Sequence, residues 1–193
     1  MTRLSPQLLI AAAGTFVESG IPDGAFFESP RDDAAHKSWD LKLIHHCGHW
    51  AHFDHQSERS SWPLPVVETP AQLGAFGSAR DVVYDEPEVG DIFLQYAPRV
   101  RAFVHAGIVV GLLDAGRYSR NEPYVDIATI EGDTDEHGRL GGGRTMRVRR
   151  RLSSVSGDRF LRWAELESFG TGLARMTNLS IRAATRDSRR FLC

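Results

Sequence analysis

Cysteine is scarce in this chain: of 193 residues only Cys47 and Cys193 carry a thiol. That count does not fit a disulfide-stapled secreted scaffold, and it turns the internal thiol into a chemical question. Long apolar runs are missing as well. Leu8 to Val17 is an apolar stretch preceded by Arg3, in faint outline a signal peptide, but it is short and Glu18 stands where small cleavage-site residues should lie. It reads better as a helix with Ser5 as N-cap and Pro6 at the first helical position. No segment reaches the ~20 apolar residues that span a bilayer. A large excess of either charge is lacking too. A net charge of -2 argues against generic nucleic-acid binding, even though Arg144, Arg147, Arg149, Arg150 and Arg151 crowd into one stretch that could meet an acidic polymer but reads more simply as a solvated strand face. Repeats and low-complexity tracts are also absent. What remains, 41% apolar and 25% charged residues, is enough to bury the core of one ordinary domain.

Helix signals come first along the chain. After the helix from Pro6 to about Val17, residues 19–38 read as a long loop. A second helix is expected from His46 to about Gln56, stopped before Trp62-Pro63-Leu64-Pro65, and a third from Thr69-Pro70. Strand signals follow: residues 91–96, 103–110, 125–130, 145–151 and 160–164 are β-branched or aromatic and are separated by Gly, Pro and Asp. Helices then strands predict an α+β domain over residues 1–165, with an antiparallel sheet whose central strand holds residues 103–110. Residues 166–193 form a C-terminal extension with a helix expected at about 172–184.

Three residues invite a chemical reading. At the start of a helix, Cys47 would be favoured as thiolate by unpartnered N–H groups and by the dipole; the ordinary alternative is a small buried apolar residue. His105, inside Phe103-Val104-His105-Ala106-Gly107-Ile108-Val109-Val110, is either a satisfied core histidine or a placed base. Glu131 closes a strand, where a carboxylate either orients an imidazole or starts a turn. His45, His49 and His52 share one helix face and could hold a metal, but Cys47 lies about 200° around the helix from His45. A polar helix face is the simpler account.

In this order the residues resemble the CHAP family of cysteine, histidine-dependent amidohydrolases and peptidases, relatives of the NlpC/P60 group. Cys47-Gly48-His49-Trp50-Ala51 is similar to its nucleophile helix, and Gly90-Asp91-Ile92-Phe93 to its Gly-Asp strand start. His105-Ala106-Gly107-Ile108-Val109 matches its histidine strand, and Glu131-Gly132-Asp133-Thr134 its Glu-Gly-Asn-Thr turn. Gly141-Gly142-Gly143, the arginines and Phe160-Leu161-Arg162-Trp163 complete the series. The resemblance implies a papain-like fold, N-terminal helices packed on an antiparallel sheet. It implies amide hydrolysis, typically in peptidoglycan, by Cys47 as nucleophile, His105 as base and Glu131 or Asp133 as orienter, with no cofactor or metal. The expected partner is peptidoglycan or a peptide substrate, reached through a cleft rimmed by residues 19–38 and 117–122. Two other readings compete: a catalytically silent member used for binding or assembly, and a metal-binding module built on the histidines.

Overall fold

Pro6 opens the first helix, α1 (Pro6–Ser19), where its fixed φ suits the first turn and its missing N–H costs nothing. The structure is a computed structural model and describes residues 5–19, 39–54, 59–117, 123–134, 144–153 and 156–166. Two more helices follow, α2 (Trp39–Ala51) and α3 (Pro70–Ser78). The start of α3 is as the sequence predicts: Thr69 is extended and its side chain accepts from the Gln72 N–H at 3.3 Å. Of the loop expected over residues 19–38, Ser19 instead ends α1 and residues 20–38 lie outside the described residues, as do residues 118–122 of the expected cleft rim and the helix expected at 172–184.

The expected second helix is misplaced. It begins seven residues before His46, at Trp39, and ends at Ala51 rather than Gln56. Leu41, Leu43, Ile44 and Cys47 all lie in the core, so the apolar stripe that fixes this helix is mostly upstream of the thiol.

The strands β1 (Phe53–Asp54) and β2 (Arg59–Ser60) form a short ladder of their own. Six others, β3 (Val83–Tyr84), β4 (Ile92–Ala97), β5 (Ala102–Arg117), β6 (Pro123–Thr134), β7 (Arg144–Ser153) and β8 (Arg159–Leu161), make one antiparallel sheet in the order β3-β8-β4-β5-β6-β7. The chain is therefore α+β, with three helices and a six-stranded antiparallel sheet among the described residues. All five strands expected from sequence are present, and β5 lies inside the sheet as expected. Three two-residue strands gave no signal: β3 in the main sheet and both strands of the β1–β2 ladder, the first of them inside the helix expected to about Gln56. The last expected strand is shorter than its apolar run, because Trp163–Glu165 turns into a 3-10 helix.

Alternation along the strands sorts two cores. Ile92, Leu94, Ala106, Ile108 and Ile130 meet Leu9, Ala13, Leu41, Ile44 and Leu73 from the three helices. Phe93, Val109, Ile127, Leu152 and Phe160 form a smaller cluster on the other face. His105 and Gly107 share the parity of Val109, and Thr129 and Glu131 that of Ile127, so their side chains gather away from the main helical core. Gly90 marks the entry to β4 with φ +98° and lies so close to Pro6 that a Cβ would meet that ring at 2.2 Å. Its carbonyl accepts the Trp163 indole N–H at 2.7 Å, which ties α1, β4 and the end of β8 at one point.

Candidate functional site

Asp40, the second residue of α2, is the residue this helix presents to His105. Its Oδ2 lies 3.1 Å from Nδ1 of His105 and accepts the Ala106 N–H at 2.7 Å. Its Oδ1 accepts the Leu41 N–H at 2.8 Å, in the first turn where amides have no intrahelical partner. On the other side of the ring, Nε2 of His105 lies 2.8 Å from Oε2 of Glu131. Arg150 closes the chain with two bonds to Glu131, one from Nε to Oε1 at 2.7 Å and one from Nη2 to Oε2, and Thr129 Oγ1 donates to Oε1. The result is a row of alternating charge, Asp40, His105, Glu131, Arg150, almost entirely shut off from solvent. Asp40, His105 and Glu131 are 1%, 2% and 0% exposed.

Two glycines make this approach possible. A Cβ on Gly107 would lie 2.6 Å from Cγ of Glu131, so only glycine lets that carboxylate cross β5 toward the imidazole two residues away. A Cβ on Gly132 would meet the Trp39 ring at 2.4 Å, which would push the first turn of α2, and Asp40 with it, off the sheet. The Trp39 indole N–H donates to Thr145 Oγ1 at 3.3 Å and anchors the same turn to β7.

Burial alone pulls the His105 pKa down, but the bonds to Asp40 and Glu131 outweigh it and lift the ring to about 9. Burial likewise pushes Glu131 up, yet Arg150 and then His105 hold it at about 2. At neutral pH His105 is thus an imidazolium whose two N–H groups both donate to carboxylates. A general base needs a neutral ring with a free nitrogen facing the nucleophile, and this ring has neither.

Cys47 is elsewhere. It does not open its helix but is the ninth of thirteen residues, on the same face as Asp40 and two turns farther along, a rise of about 10 Å. It is 0% exposed within the helical core, makes no bond to His105, and burial pushes its thiol far above the usual range. The helix N-terminus that would have favoured a thiolate serves Asp40 instead. The expected Cys47–His105 pairing is therefore corrected: the structure joins His105 to Glu131 and Asp40. Asp133 sits on left-handed backbone at φ 56° and bonds to neither nitrogen of His105.

Sequence reasoning missed Asp40 and Arg150. Asp40 was detectable as an acid in the first turn of an apolar-periodic stretch, seven residues before Cys47. The arginine run is also not a plain solvated face. Arg149 and Arg151 clamp the buried Asp126 and hold its carboxyl well below the usual range, while Arg150 turns inward to Glu131.

The histidines divide. His52 is buried; its Nδ1 donates to the Gly48 carbonyl at 2.9 Å and its Nε2 accepts the Ser5 N–H at 3.1 Å, which caps α1. Burial holds its pKa below the usual value. His45 is buried beside Trp62, and His49 is exposed. Among the described residues no group of three or more His, Cys, Asp or Glu side chains is placed to hold a metal ion. Nor is any described helix long and apolar enough to cross a membrane.

No family model, curated protein or solved structure matches this chain.

Proposed function

We propose that this chain is a CHAP-like, papain-like domain that has lost its nucleophile and acts by binding or assembly rather than by cutting amide bonds. One observation carries the reading. In the family resembled here a cysteine opens the helix and faces the strand histidine; in this chain the residue in that place is Asp40, 3.1 Å from His105. A carboxylate held by two backbone N–H groups and an imidazolium is poorly suited to attack a carbonyl, since its lone pairs are already engaged. The histidine, the acid and the two motif glycines remain because they weld α2 to β5, β6 and β7. The competing reading, hydrolysis through Cys47, would require that thiol to leave the core and the imidazole to give up a carboxylate.

Incubation of the purified protein with peptidoglycan, followed by mass analysis of released fragments, separates the two. Wild type and Cys47→Ala are expected to release equally little. Fragment release by wild type that disappears in Cys47→Ala would reinstate the hydrolase and end this proposal.

A further inference from the structure

The six-stranded sheet ends at β7, which pairs with β6 on one side and with no described strand on the other. Which of its main-chain groups are spare follows from the register. Thr129 lies opposite Val148, and its Oγ1 is 3.3 Å from the Val148 carbonyl oxygen, so that carbonyl faces β6. Val109, opposite Thr129 on β5, turns its main chain the other way: its N–H donates to the Asp91 carbonyl at 2.9 Å and its C=O accepts the Gly90 N–H at 2.7 Å. Thr129 therefore bonds toward β7. Bonding direction alternates along an antiparallel strand, so the N–H and C=O groups of Arg147, Arg149 and Arg151 point out of the edge of the sheet.

The same three residues put cations on that edge. Their partners on β6 are Ile130, Ala128 and Asp126, so their side chains share one face of the sheet. Arg149 and Arg151 both bond to the single carboxylate of Asp126, and their side chains stay 63% and 41% exposed. Arg147 is exposed beside Gly14 of α1, and among the described residues no carboxylate pairs with it. Glu18, one turn past Gly14, makes no ion pair with these arginines among the described residues. The next acid across the sheet, Asp114 of β5, lies opposite Asp126 with β6 between it and β7.

We propose that the outer edge of β7 takes an acidic segment of a partner protein as an added antiparallel strand, with alternate Asp or Glu side chains opposite Arg147, Arg149 and Arg151. Main-chain bonds supply affinity, and charge pairs across the strands select the occupant. The residues between the acids fall on the other face, next to half-buried Val148, where an apolar side chain fits. A second copy of β7 is disfavoured, because its arginines would face arginines. A nucleic acid offers charge but no N–H and C=O groups to continue the ladder. Arg150 shares the strand but turns to Glu131 on the opposite face, so the proposal does not depend on how the Asp40 cluster is read.

The test uses the full chain and fluorescein-labelled peptides followed by anisotropy. The probe is Gly-Glu-Val-Glu-Val-Glu-Gly. One control, Gly-Lys-Val-Lys-Val-Lys-Gly, inverts the charge. The other is the probe N-methylated at its three glutamates, which keeps the charge and removes the main-chain donors that would face β7. Saturable binding of the probe is expected, with each control at least about tenfold weaker and with affinity falling as salt rises. Arg147→Glu, at an exposed position, is expected to weaken the probe about tenfold and to strengthen the lysine peptide, with the thermal unfolding midpoint unchanged. Equal binding of the N-methylated peptide would overturn the proposal, by showing a surface that reads charge alone. Equal binding of the lysine peptide, binding that Arg147→Glu leaves unaltered, or no saturation at ~1 mM would do the same. Self-association of the chain that Arg147→Glu abolishes would also overturn it, by showing that a second copy fills the edge.

Discussion

Asp40 Oδ2 and Ala106 N lie 2.7 Å apart, a bond that pins the first turn of α2 to the backbone of β5 beside the residue whose imidazole the same oxygen holds. One oxygen thus fixes both strand and ring. The carboxylate lies where the helix N-terminus also favours negative charge, so helix, strand and imidazolium all stabilise the same group.

Removing that charge tests how much of the fold rests on it. In Asp40→Asn an amide oxygen can still accept from Leu41 or Ala106, but His105 keeps a buried proton with no anion on its Nδ1 side. Breaking a buried pair in this way costs about 3–5 kcal/mol, somewhat less where a neutral bond survives. Urea unfolding should give a lower midpoint with an unchanged slope. An unchanged midpoint would show that the pairing contributes nothing.

The charge row also sets a pH signature. The folded pKa of His105, about 9, is raised above the ordinary 6.5, so its stabilisation is complete below pH 6.5 and is lost as pH rises through 9. That of Glu131, about 2, is depressed below 4.5, so its stabilisation is complete above pH 4.5 and is lost as pH falls through 2. Between pH 5.5 and 9.5 the wild type should lose on the order of 3 kcal/mol that a His105→Gln variant does not lose. His52 titrates with the opposite sign on the acid side, and comparison with the variant cancels it. Parallel stability curves for the two proteins would contradict the imidazolium assignment.

Much of the fold was legible because its signals are local. Thr69-Pro70 marks a helix start by capping chemistry, and the β-branched runs around residues 92–97 and 144–153 mark strands by composition. Gly107 and Gly132 were visible only as parts of motifs; their meaning, room for Glu131 and for Trp39, depends on strand pairing that no local pattern states. The error at Cys47 has the same origin. A rare thiol is a stronger chemical signal than a helix start, whereas the residues that place the start at Trp39 are the apolar stripe of Leu41, Leu43 and Ile44 and the acid in its first turn. Arg150 was hidden differently. In a run of arginines, strand parity decides which one points inward, and Val148 and Leu152 on the same parity were the available clue.

Gly107 offers a sharper test of geometry than any charged residue. In Gly107→Ala the new Cβ would lie 2.6 Å from Glu131 Cγ and 3.2 Å from the Ile130 carbonyl, so Glu131 must move away from His105. A loss of roughly 1–3 kcal/mol is expected from overpacking alone, and the His105 pKa should fall because one of its two carboxylates has withdrawn. Histidine titration by NMR reads the second effect directly. A stable variant with an unshifted His105 would mean that the close crossing of Glu131 over β5 is not what raises the ring.

Cys47 provides the last test, one of accessibility rather than activity. The thiolate is the reactive form, and burial both pushes this thiol's pKa far above its ordinary value and keeps reagent out. In a Cys193→Ser background, which leaves Cys47 as the only thiol, labelling by a maleimide in native buffer should follow the opening of the helical core. Its rate should rise with urea in proportion to the unfolded population and should be ~10³-fold or more below that of the unfolded chain. Asp40→Asn, by weakening the helix, should raise the native labelling rate in proportion to its loss of stability, although it leaves the thiol itself untouched. An activated nucleophile behaves in the opposite way, labelling fast when folded and more slowly in urea. Fast native labelling of Cys47 would remove the thiol from the core and return it to the site.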